Sequence, residues 1–194
     1  ASPDLNARAI TALQWLIRML RELRPREITL KHEPPVLLFV DGAHEVTDSG
    51  PTVTVGAVLF DPTRPEVGPR YFGQAVGSPL VSWWARGDKT QLIGQAEILP
   101  VLLAKTTWPD TFRNRRCFVF IDNNSARFGL VNGYSPVRAS GHIISDVWLF
   151  DSAQGTGSWY ARVPTASNIA DGPSRLFFAE VKAYMNAKRC AISI

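Results

Sequence analysis

Cysteine is scarce in this chain, which has only Cys117 and Cys190 in 194 residues. Two cysteines cannot build the disulfide framework of a small secreted domain, and Cys117 lies in an apolar run. We therefore expect reduced thiols and an intracellular protein. Long hydrophobic runs are also missing, since no stretch approaches the roughly 20 apolar residues of a membrane-spanning helix. No basic start followed by an apolar segment opens the chain, so we expect no membrane partner.

A large excess of charge of one sign is absent as well. The 21 Lys and Arg residues against 17 Asp and Glu residues give a formal net charge of +4. This modest excess permits a polyanionic partner but does not require one. The length and the 45% hydrophobic content suffice for one domain with a full core. The chain begins at Ala1 rather than at a methionine, so we expect it to be a piece of a longer protein.

Hydrophobic periodicity predicts an amphipathic helix followed by an α/β domain. The helix falls within 5–24 and Pro34-Pro35 follows it, so we place a linker at 1–33 and the domain at 34–194. Three strands joined by turns predict an antiparallel meander, and helical crossovers make two later strands parallel to the first. We expect a five-stranded mixed sheet with helices on both faces. The predicted strands are 36–40, 52–60, 70–76, 117–122 and 158–164, and the predicted helices are 88–104, 124–133, 140–152 and 174–187.

Acidic residues follow the two strands that are most apolar. Asp41 ends one of these strands and Asp122 ends the other. If the strands are neighbours, the two acids lie about one strand spacing apart, at ~4.8 Å between backbones, at the edge where open α/β sheets place their sites. Adjacent carboxylates repel unless a cation joins them, and oxygen ligands suit Mg²⁺. With Glu97 in a helix and Asp171 before the last helix, the sequence predicts a four-carboxylate metal site.

The order of these motifs resembles the ribonuclease H-like domain of retroelement reverse transcriptases. LLFVDGAHE is similar to the first strand of that family, and GQAEILPVLLA is similar to its glutamate helix. FVFIDNNSARFGLVNG resembles the second aspartate strand, and YARVPTASNIADGPSR resembles the last strand with the fourth acid. The resemblance covers about residues 36–180. It implies a ribonuclease H-like fold, with the helix at 5–24 as a remnant of the segment that links polymerase and nuclease.

The resemblance also implies an activity, a cofactor and partners. The activity is endonucleolytic hydrolysis of the RNA strand of an RNA/DNA hybrid, leaving 5′-phosphate and 3′-hydroxyl ends. Two Mg²⁺ ions, or Mn²⁺, would be bound by the four acids, which would also be the catalytic residues. Asp41 would bridge the ions, with Asp122 and Glu97 on one side and Asp171 on the other. A reverse transcriptase polymerase domain in the parent chain is the implied protein partner.

Contacts to the hybrid need amides for the ribose 2′-hydroxyl and cations for the phosphates. The candidate nucleic-acid-binding residues near the motifs are Gln95, Asn123, Asn124, Arg127, Arg138 and Arg175.

Some features of the sequence depart from the family and leave alternatives open. Many members carry a histidine in the loop before the fourth acid, and 164–168 has none. A 3′–5′ exonuclease of this superfold would have glutamate where this chain has Ala43, and an integrase would present its glutamate last. Each acid alone could be a cap or a solvated residue. A catalytically silent scaffold or nucleic-acid-binding domain in a larger complex stays an alternative.

Overall fold

The computed structural model of the chain describes residues 6–22, 33–48, 50–86 and 91–192. Within these ranges, six strands form one sheet in the order β5-β4-β1-β2-β3-β6. The strands are β1 (Val36–Thr47), β2 (Gly50–Phe60), β3 (Arg70–Ala75), β4 (Arg116–Ile121), β5 (Gly157–Arg162) and β6 (Lys188–Arg189). The helices are α1 (Ala7–Glu22), α2 (Ser78–Trp84), α3 (Ile93–Thr107), α4 (Pro109–Phe112), α5 (Asn124–Asn132), α6 (Arg138–Gln154), α7 (Asp171–Ser174) and α8 (Ala179–Ala183).

The sheet confirms the predicted mixed topology. β1, β2 and β3 pair antiparallel, and β4 and β5 continue the sheet as parallel strands beside β1. The described sheet has six strands where five were expected. The additional strand, β6, is only two residues long and pairs with Arg70 and Tyr71 at the far edge. A strand so short leaves no alternation in the sequence from which it could be predicted.

Alternate residues of the central strands form the core beneath α3. β1 buries Val36, Leu38 and Val40 on this face, and β4 buries Cys117, Val119 and Ile121. α3 lies between the sheet and α6 and is buried from Gln95 to Val101. The opposite face of β1, β2 and β3 is covered by α7. The predicted helices on both faces of the sheet are therefore confirmed.

The start of α3 differs from the prediction. The predicted helix at 88–104 begins at Asp88, which lies outside the described residues, and the residue at the cap of α3 is Leu92. Leu92 makes no side-chain capping hydrogen bond; it is fully buried instead. The helix thus begins where Leu92 enters the core rather than at a polar cap. Pro100 lies inside the helix, which continues to Thr107.

The predicted terminal helix at 174–187 is wrong. The segment instead forms α7, a turn, α8 and β6. Leu176 has a left-handed backbone conformation with φ of 63°, which ends the first helix, and Asn186 has φ of 47° before β6. The breaks allow Val181 to pack beside Val58 and Tyr71. Helical spacing in the sequence did not reveal these tertiary contacts.

The N-terminal segment is described only in part. α1 occupies Ala7–Glu22 and contacts α6, whereas 23–32 lies outside the described residues. The domain boundary at residue 33/34 therefore stays a prediction. α2 was not predicted at all. None of the helices described here combines the length and the apolar character needed to cross a membrane.

Candidate metal centre

The strand register brings the two aspartates together. β1 and β4 pair in parallel from Val36 opposite Cys117 to Phe39 opposite Phe120. The same register, continued by two residues, places Asp41 opposite Asp122. Each of these residues offers a carboxylate oxygen, and these oxygens lie within 4.8 Å of each other and of one from Glu97. The predicted convergence of three acids from two strands and one helix is present in the structure.

Glu97 reaches this group because α3 lies unusually close to β1. The Cβ that Gly42 lacks would overlap the backbone carbonyl of Ala96 and would lie 2.7 Å from the nitrogen of Glu97. Pro100 has no N–H to donate to the Ala96 carbonyl, which the helix would otherwise use. The backbone N–H of Gly42 faces the Glu97 carboxylate closely enough to lower its pKa, against the larger effect of burial. The glycine that follows Asp41 thus positions the glutamate beside it.

Gly42→Ala is expected to separate α3 from β1 and to displace Glu97 from the two aspartates. Overpacking of this kind costs about 1–3 kcal/mol of unfolding free energy or more. Urea unfolding and Mg²⁺ binding measured on the same variant check both effects. The matched control is Gly94→Ala on α3, where the nearest atom, the Ser140 hydroxyl oxygen, would lie 3.8 Å from the new Cβ. Gly42→Ala with wild-type stability and metal affinity would show that the close approach is unimportant.

Two further glycines bring the last acid to the site from the opposite face. Asp41 pairs with Gly56, which in turn pairs with Gly73. A Cβ on Gly56 would overlap the backbone nitrogen of Ser174, and one on Gly73 would overlap the carbonyl of Pro173. This row of small residues lets α7 lie directly on the sheet beside Asp41.

Asp171 lines the same cavity as the other three acids but has a different partner. The cavity has a volume of about 260 Å³, and Asp41, Glu97, Asp122, Asp171 and Arg175 are among its lining residues. The Asp171 carboxylate accepts a hydrogen bond of 3.0 Å from Arg175 Nε. Asp171 stands outside the three-carboxylate group, yet it is near enough to raise the pKa of Asp41. Asp171, the fourth acid, therefore lines the cavity, but its carboxylate is paired with the guanidinium of Arg175.

Burial and mutual repulsion make the site costly to ionise. Burial, followed by the charges of Asp122 and Asp171, raises the pKa of Asp41 to about 6, although a hydrogen bond from Ser174 partly offsets this. Burial and the charges of Asp41 and Asp122 raise the pKa of Glu97 to about 9. Asp41 and Glu97 are each only 5% exposed. Two buried carboxyl groups with raised pKa values thus lie within 4.8 Å of a third acid, measured between carboxylate oxygens.

The donor set fits a divalent cation. Oε2 of Glu97 is buried and has no hydrogen-bond partner among the described residues. An unpaired buried carboxylate oxygen is costly, and a cation would relieve both this cost and the repulsion. The site offers carboxylate oxygens, which are the ligands of hard ions such as Mg²⁺. Asp41, Glu97 and Asp122 are the residues that could hold such an ion.

Without metal, the stability of the protein is expected to fall as the pH rises from about 4 to about 9. The folded-state pKa values of Asp41 and Glu97 lie above their unfolded values, so the folded protein binds protons more tightly. The stability that these two protonated groups contribute is fully present below their unfolded pKa values. It is lost as the pH rises through their folded pKa values, about 6 for Asp41 and about 9 for Glu97. Urea unfolding in EDTA at several pH values measures this slope.

Glu97→Gln provides the control for this pH dependence. The variant removes the group that titrates highest, so its slope between pH 7 and 9 is expected to be flatter than that of the wild type. An unchanged slope would mean that Glu97 is not the group responsible.

The predicted nucleic-acid contacts are distributed unevenly around the site. Asn123 is the N-cap of α5, and its side-chain oxygen accepts a hydrogen bond of 3.0 Å from the Ala126 backbone. Asn124 is exposed at the first residue of the helix. Arg175 lines the cavity, although it is engaged with Asp171. These three residues lie at or next to the carboxylates, and their contact with a hybrid stays a prediction.

The other three candidates are less favourably placed. Gln95 is only 3% exposed, because α3 is covered by the sheet and α6, and this burial argues against direct contact with a ligand. Arg127 packs over the ring of Phe128 at 4.3 Å. Arg138 is exposed at the start of α6, where its Nε lies 3.4 Å from His142. Their roles in binding a hybrid stay predictions.

Three residues at the site had no role in the sequence interpretation. His44 lines the cavity, and its Nε2 is buried without a hydrogen-bond partner among the described residues. Asn168 and Ser174 both donate to Asp41. A signal for the last two was present, because they lie three residues before and three residues after Asp171 in the same motif. Only the position of that segment against β1 in the folded structure shows that their hydrogen-bond acceptor is the Asp41 carboxylate.

Solved structures share this arrangement of strands and helices. The crystal structure of RNase H1 from the halophilic archaeon Halobacterium salinarum NRC-1 is 18% identical, with a TM-score of 0.51, over 75% of this chain and 98% of that chain. LC11-RNase H1, isolated from compost by a metagenomic approach, is 11% identical, with a TM-score of 0.50, over 78% of this chain and 100% of that chain. No model of a known family and no curated protein sequence matches the chain. At such low identity the likeness concerns the fold, and by that measure the chain has the fold of a ribonuclease H-like domain.

Proposed function

We propose that this chain is a metal-dependent endonuclease of the ribonuclease H type, which hydrolyses the RNA strand of RNA/DNA hybrids. The observation that carries the proposal is the convergence of Asp41, Glu97 and Asp122, with a buried Glu97 oxygen that lacks a partner, on a ribonuclease H-like fold. A buried cluster of like charges lowers stability, so its presence at the edge of an open cavity favours a functional role.

Different residues would bind the metal ions and the substrate. Asp41, Glu97 and Asp122 would hold divalent cations, with Asp171 at the other side of the cavity. Bound Mg²⁺ would supply an activated water and neutralise charge on the scissile phosphate. The free backbone N–H groups at the start of α5 and the amide of Asn124 lie next to Asp122. A phosphate oxygen there could accept from them, and a ribose 2′-hydroxyl could accept from them or donate to the Asn124 side-chain oxygen. Arg175 would release the Asp171 carboxylate and bind a phosphate oxygen of the substrate instead.

The proposed parent is a reverse transcriptase, with a polymerase domain ahead of α1. The motif resemblance supports this proposal, and so does the exposed apolar side of α1. Five large apolar side chains of that helix are between 44% and 67% exposed: Ile10, Leu13, Leu16, Ile17 and Leu20. Contact with a neighbouring domain would cover them. Such a domain would also supply hybrid affinity that a net charge of +4 provides only weakly.

The test of the proposed function is a substrate panel. The purified chain is incubated with RNA/DNA hybrid, duplex RNA and duplex DNA, each with Mg²⁺, with Mn²⁺ and with EDTA. We expect cleavage of the hybrid alone, only with metal, and products with 5′-phosphate and 3′-hydroxyl ends. Binding of the hybrid without cleavage in either metal would favour the alternative, a catalytically silent nucleic-acid-binding scaffold.

Hybrid binding by the isolated chain is expected to be weak and steeply dependent on salt. The modest positive charge of the chain predicts weak binding. Contacts to phosphates supply most of the affinity for a nucleic acid, and because they release counterions, the affinity falls as salt rises. Fluorescence anisotropy of a labelled hybrid between about 50 and 200 mM salt measures the slope. A nanomolar Kd that does not change over this range would contradict the expectation.

A further inference from the structure

Both oxygens of the Asp41 carboxylate are held by side chains of a single distant segment, 168–174, which contains α7 and is called the 168–174 loop. The hydroxyl of Ser174 donates to Oδ2, and the side-chain amide of Asn168 lies 3.4 Å from Oδ1. The same amide donates to the carbonyl of Val40 at 3.0 Å. Ser174 is fully buried and Asn168 is 5% exposed, so water does not replace these donors easily. The orientation of Asp41 is therefore determined by Asn168 and Ser174, which follow it in the chain by 127 and 133 positions.

Ser174 also connects Asp41 to the fourth acid. Its Oγ lies 2.8 Å from the backbone carbonyl of Asp171 as well as beside the Asp41 carboxylate. A hydroxyl has one proton to donate, and an ionised carboxylate is the stronger acceptor. The side chain of Ser174 thus lies between the Asp41 carboxylate and the backbone of Asp171, and it fixes their relative positions.

The loop itself is fixed in position. The Asn168 side-chain oxygen accepts a hydrogen bond of 3.2 Å from the backbone of Ala170. Gly56 and Gly73 leave no side chain between the sheet and the backbone at Pro173 and Ser174. Any side chain at either glycine would push the hydroxyl away from Asp41. The short distance between loop and sheet is therefore built into the fold.

We propose that Ser174, assisted by Asn168, is a positioning residue that orients the Asp41 carboxylate for cation binding. The proposal rests on the function proposed above. The terminal torsion of an aspartate is broad, so a carboxylate without fixed partners would sample several orientations. A carboxylate has about four acceptor sites, so two donated hydrogen bonds leave others free toward Glu97 and Asp122. Outer partners of this kind orient metal ligands in many sites.

The test is Mg²⁺ binding by Ser174→Ala, measured without reference to catalysis. The melting temperature of metal-free protein is followed as Mg²⁺ is added, and the Mg²⁺ midpoint is taken as the dissociation constant that fits the rise, which grows as RT ln(1 + [Mg²⁺]/Kd). Loss of an outer partner typically weakens metal binding by about 10–100-fold, so we expect the midpoint to rise at least about tenfold. Ser174→Cys, which keeps a side chain of similar size with only a weak donor, gives the same measurement if the alanine variant does not fold.

Thr156→Val is the matched control for loss of a buried hydroxyl. Thr156 is 7% exposed and donates a hydrogen bond of 2.9 Å to the carbonyl of Phe112. It precedes β5, at the end of the sheet opposite the carboxylates. Both variants should be less stable than the wild type, but only the Ser174 variants should shift the Mg²⁺ midpoint.

The outcomes separate this proposal from the proposed function. A wild-type Mg²⁺ midpoint in the Ser174 variants would overturn the positioning role, and so would equal shifts in Ser174→Ala and Thr156→Val. A wild-type chain whose melting temperature does not respond to Mg²⁺ would overturn it too. Hybrid cleavage by the wild type is scored separately. If the Ser174 variants shift the midpoint but the wild type cleaves no hybrid, the nuclease proposal fails and the positioning role stands.

Discussion

Asp41→Asn is expected to abolish cleavage of an RNA/DNA hybrid while leaving a folded protein that is more stable than the wild type in EDTA. Asp41 is linked to two other acids and to a hydroxyl: a carboxylate oxygen of Asp41 lies within 4.8 Å of one from Glu97 and one from Asp122, and Asp41 accepts a hydrogen bond from Ser174. An amide has a similar shape but carries no charge for a cation. The catalytic loss follows from the missing ligand.

The gain in stability follows from the electrostatics of the metal-free site. Burial and neighbouring acids raise the pKa of Asp41 to about 6, so at pH 7 the group is ionised at a cost to the fold. Each pKa unit corresponds to about 1.4 kcal/mol, so neutralising the residue is expected to add roughly 1–3 kcal/mol to the unfolding free energy. The Ser174 hydroxyl can still donate to the oxygen of the new amide.

The measurement combines hybrid cleavage with urea unfolding in EDTA at pH 7. Asp146→Asn is the matched control, because it makes the same chemical change at an exposed position on α6. That variant should cleave at the wild-type rate and should show little change in stability. A fully active Asp41→Asn protein, prepared free of wild-type enzyme, would refute the assignment of the metal site.

The second large effect concerns which strand is cut: the RNA strand of a hybrid is expected to be cleaved and the DNA strand spared. Asn123 and Asn124 follow Asp122 directly, and the helix that they open presents free N–H groups beside the carboxylates. A ribose 2′-hydroxyl can accept from such N–H groups and from the Asn124 side-chain amide, and it can donate to the Asn124 side-chain oxygen. A deoxyribose would leave them unpaired, at about 1–3 kcal/mol for each buried group.

The structure sharpens the choice of variants for this prediction. Asn123 caps α5 through its side-chain oxygen, so alanine there would also weaken the helix, by about 1 kcal/mol. Asn123→Ser keeps a capping oxygen and removes only the amide. We expect Asn124→Ala and Asn123→Ser each to slow cleavage of the RNA strand about 5- to 100-fold with an unchanged Mg²⁺ midpoint. Hybrids labelled on each strand in turn provide the readout, and equal cutting of both strands would overturn the ribonuclease interpretation.

The parts of the fold that hold the site could be predicted from the sequence. Two apolar strands ending in Asp41 and Asp122 are recognisable because continuous apolar runs are typical of central parallel strands. That the two strands are neighbours was only a condition of the prediction, and the parallel pairing of β1 with β4 meets it. Glu97 was recognised through its position in the glutamate-helix motif and its apolar neighbours. Each of these predictions depends on local pattern and standard connection rules.

The parts that failed depend on contacts between distant segments. The segment after Asp171 has helical spacing, yet Leu176 adopts a left-handed conformation and the helix stops. The hydrogen bonds from Asn168 and Ser174 to Asp41 arise only when the last loop lies on the sheet. The close approach at Gly42 likewise depends on the distance between α3 and β1. Sequence pattern contains no measure of such distances.

The central claim is that this carboxylate cluster cuts RNA in a hybrid by binding a divalent cation. It is tested most directly with one hybrid labelled on the 5′ end of its RNA strand, incubated with wild-type and Asp41→Asn protein in Mg²⁺ or in EDTA. We predict RNA fragments from the wild type in Mg²⁺ and from none of the other three reactions. Fragments of equal yield in EDTA, or from Asp41→Asn in Mg²⁺, would contradict the claim, as would an intact RNA strand in all four reactions.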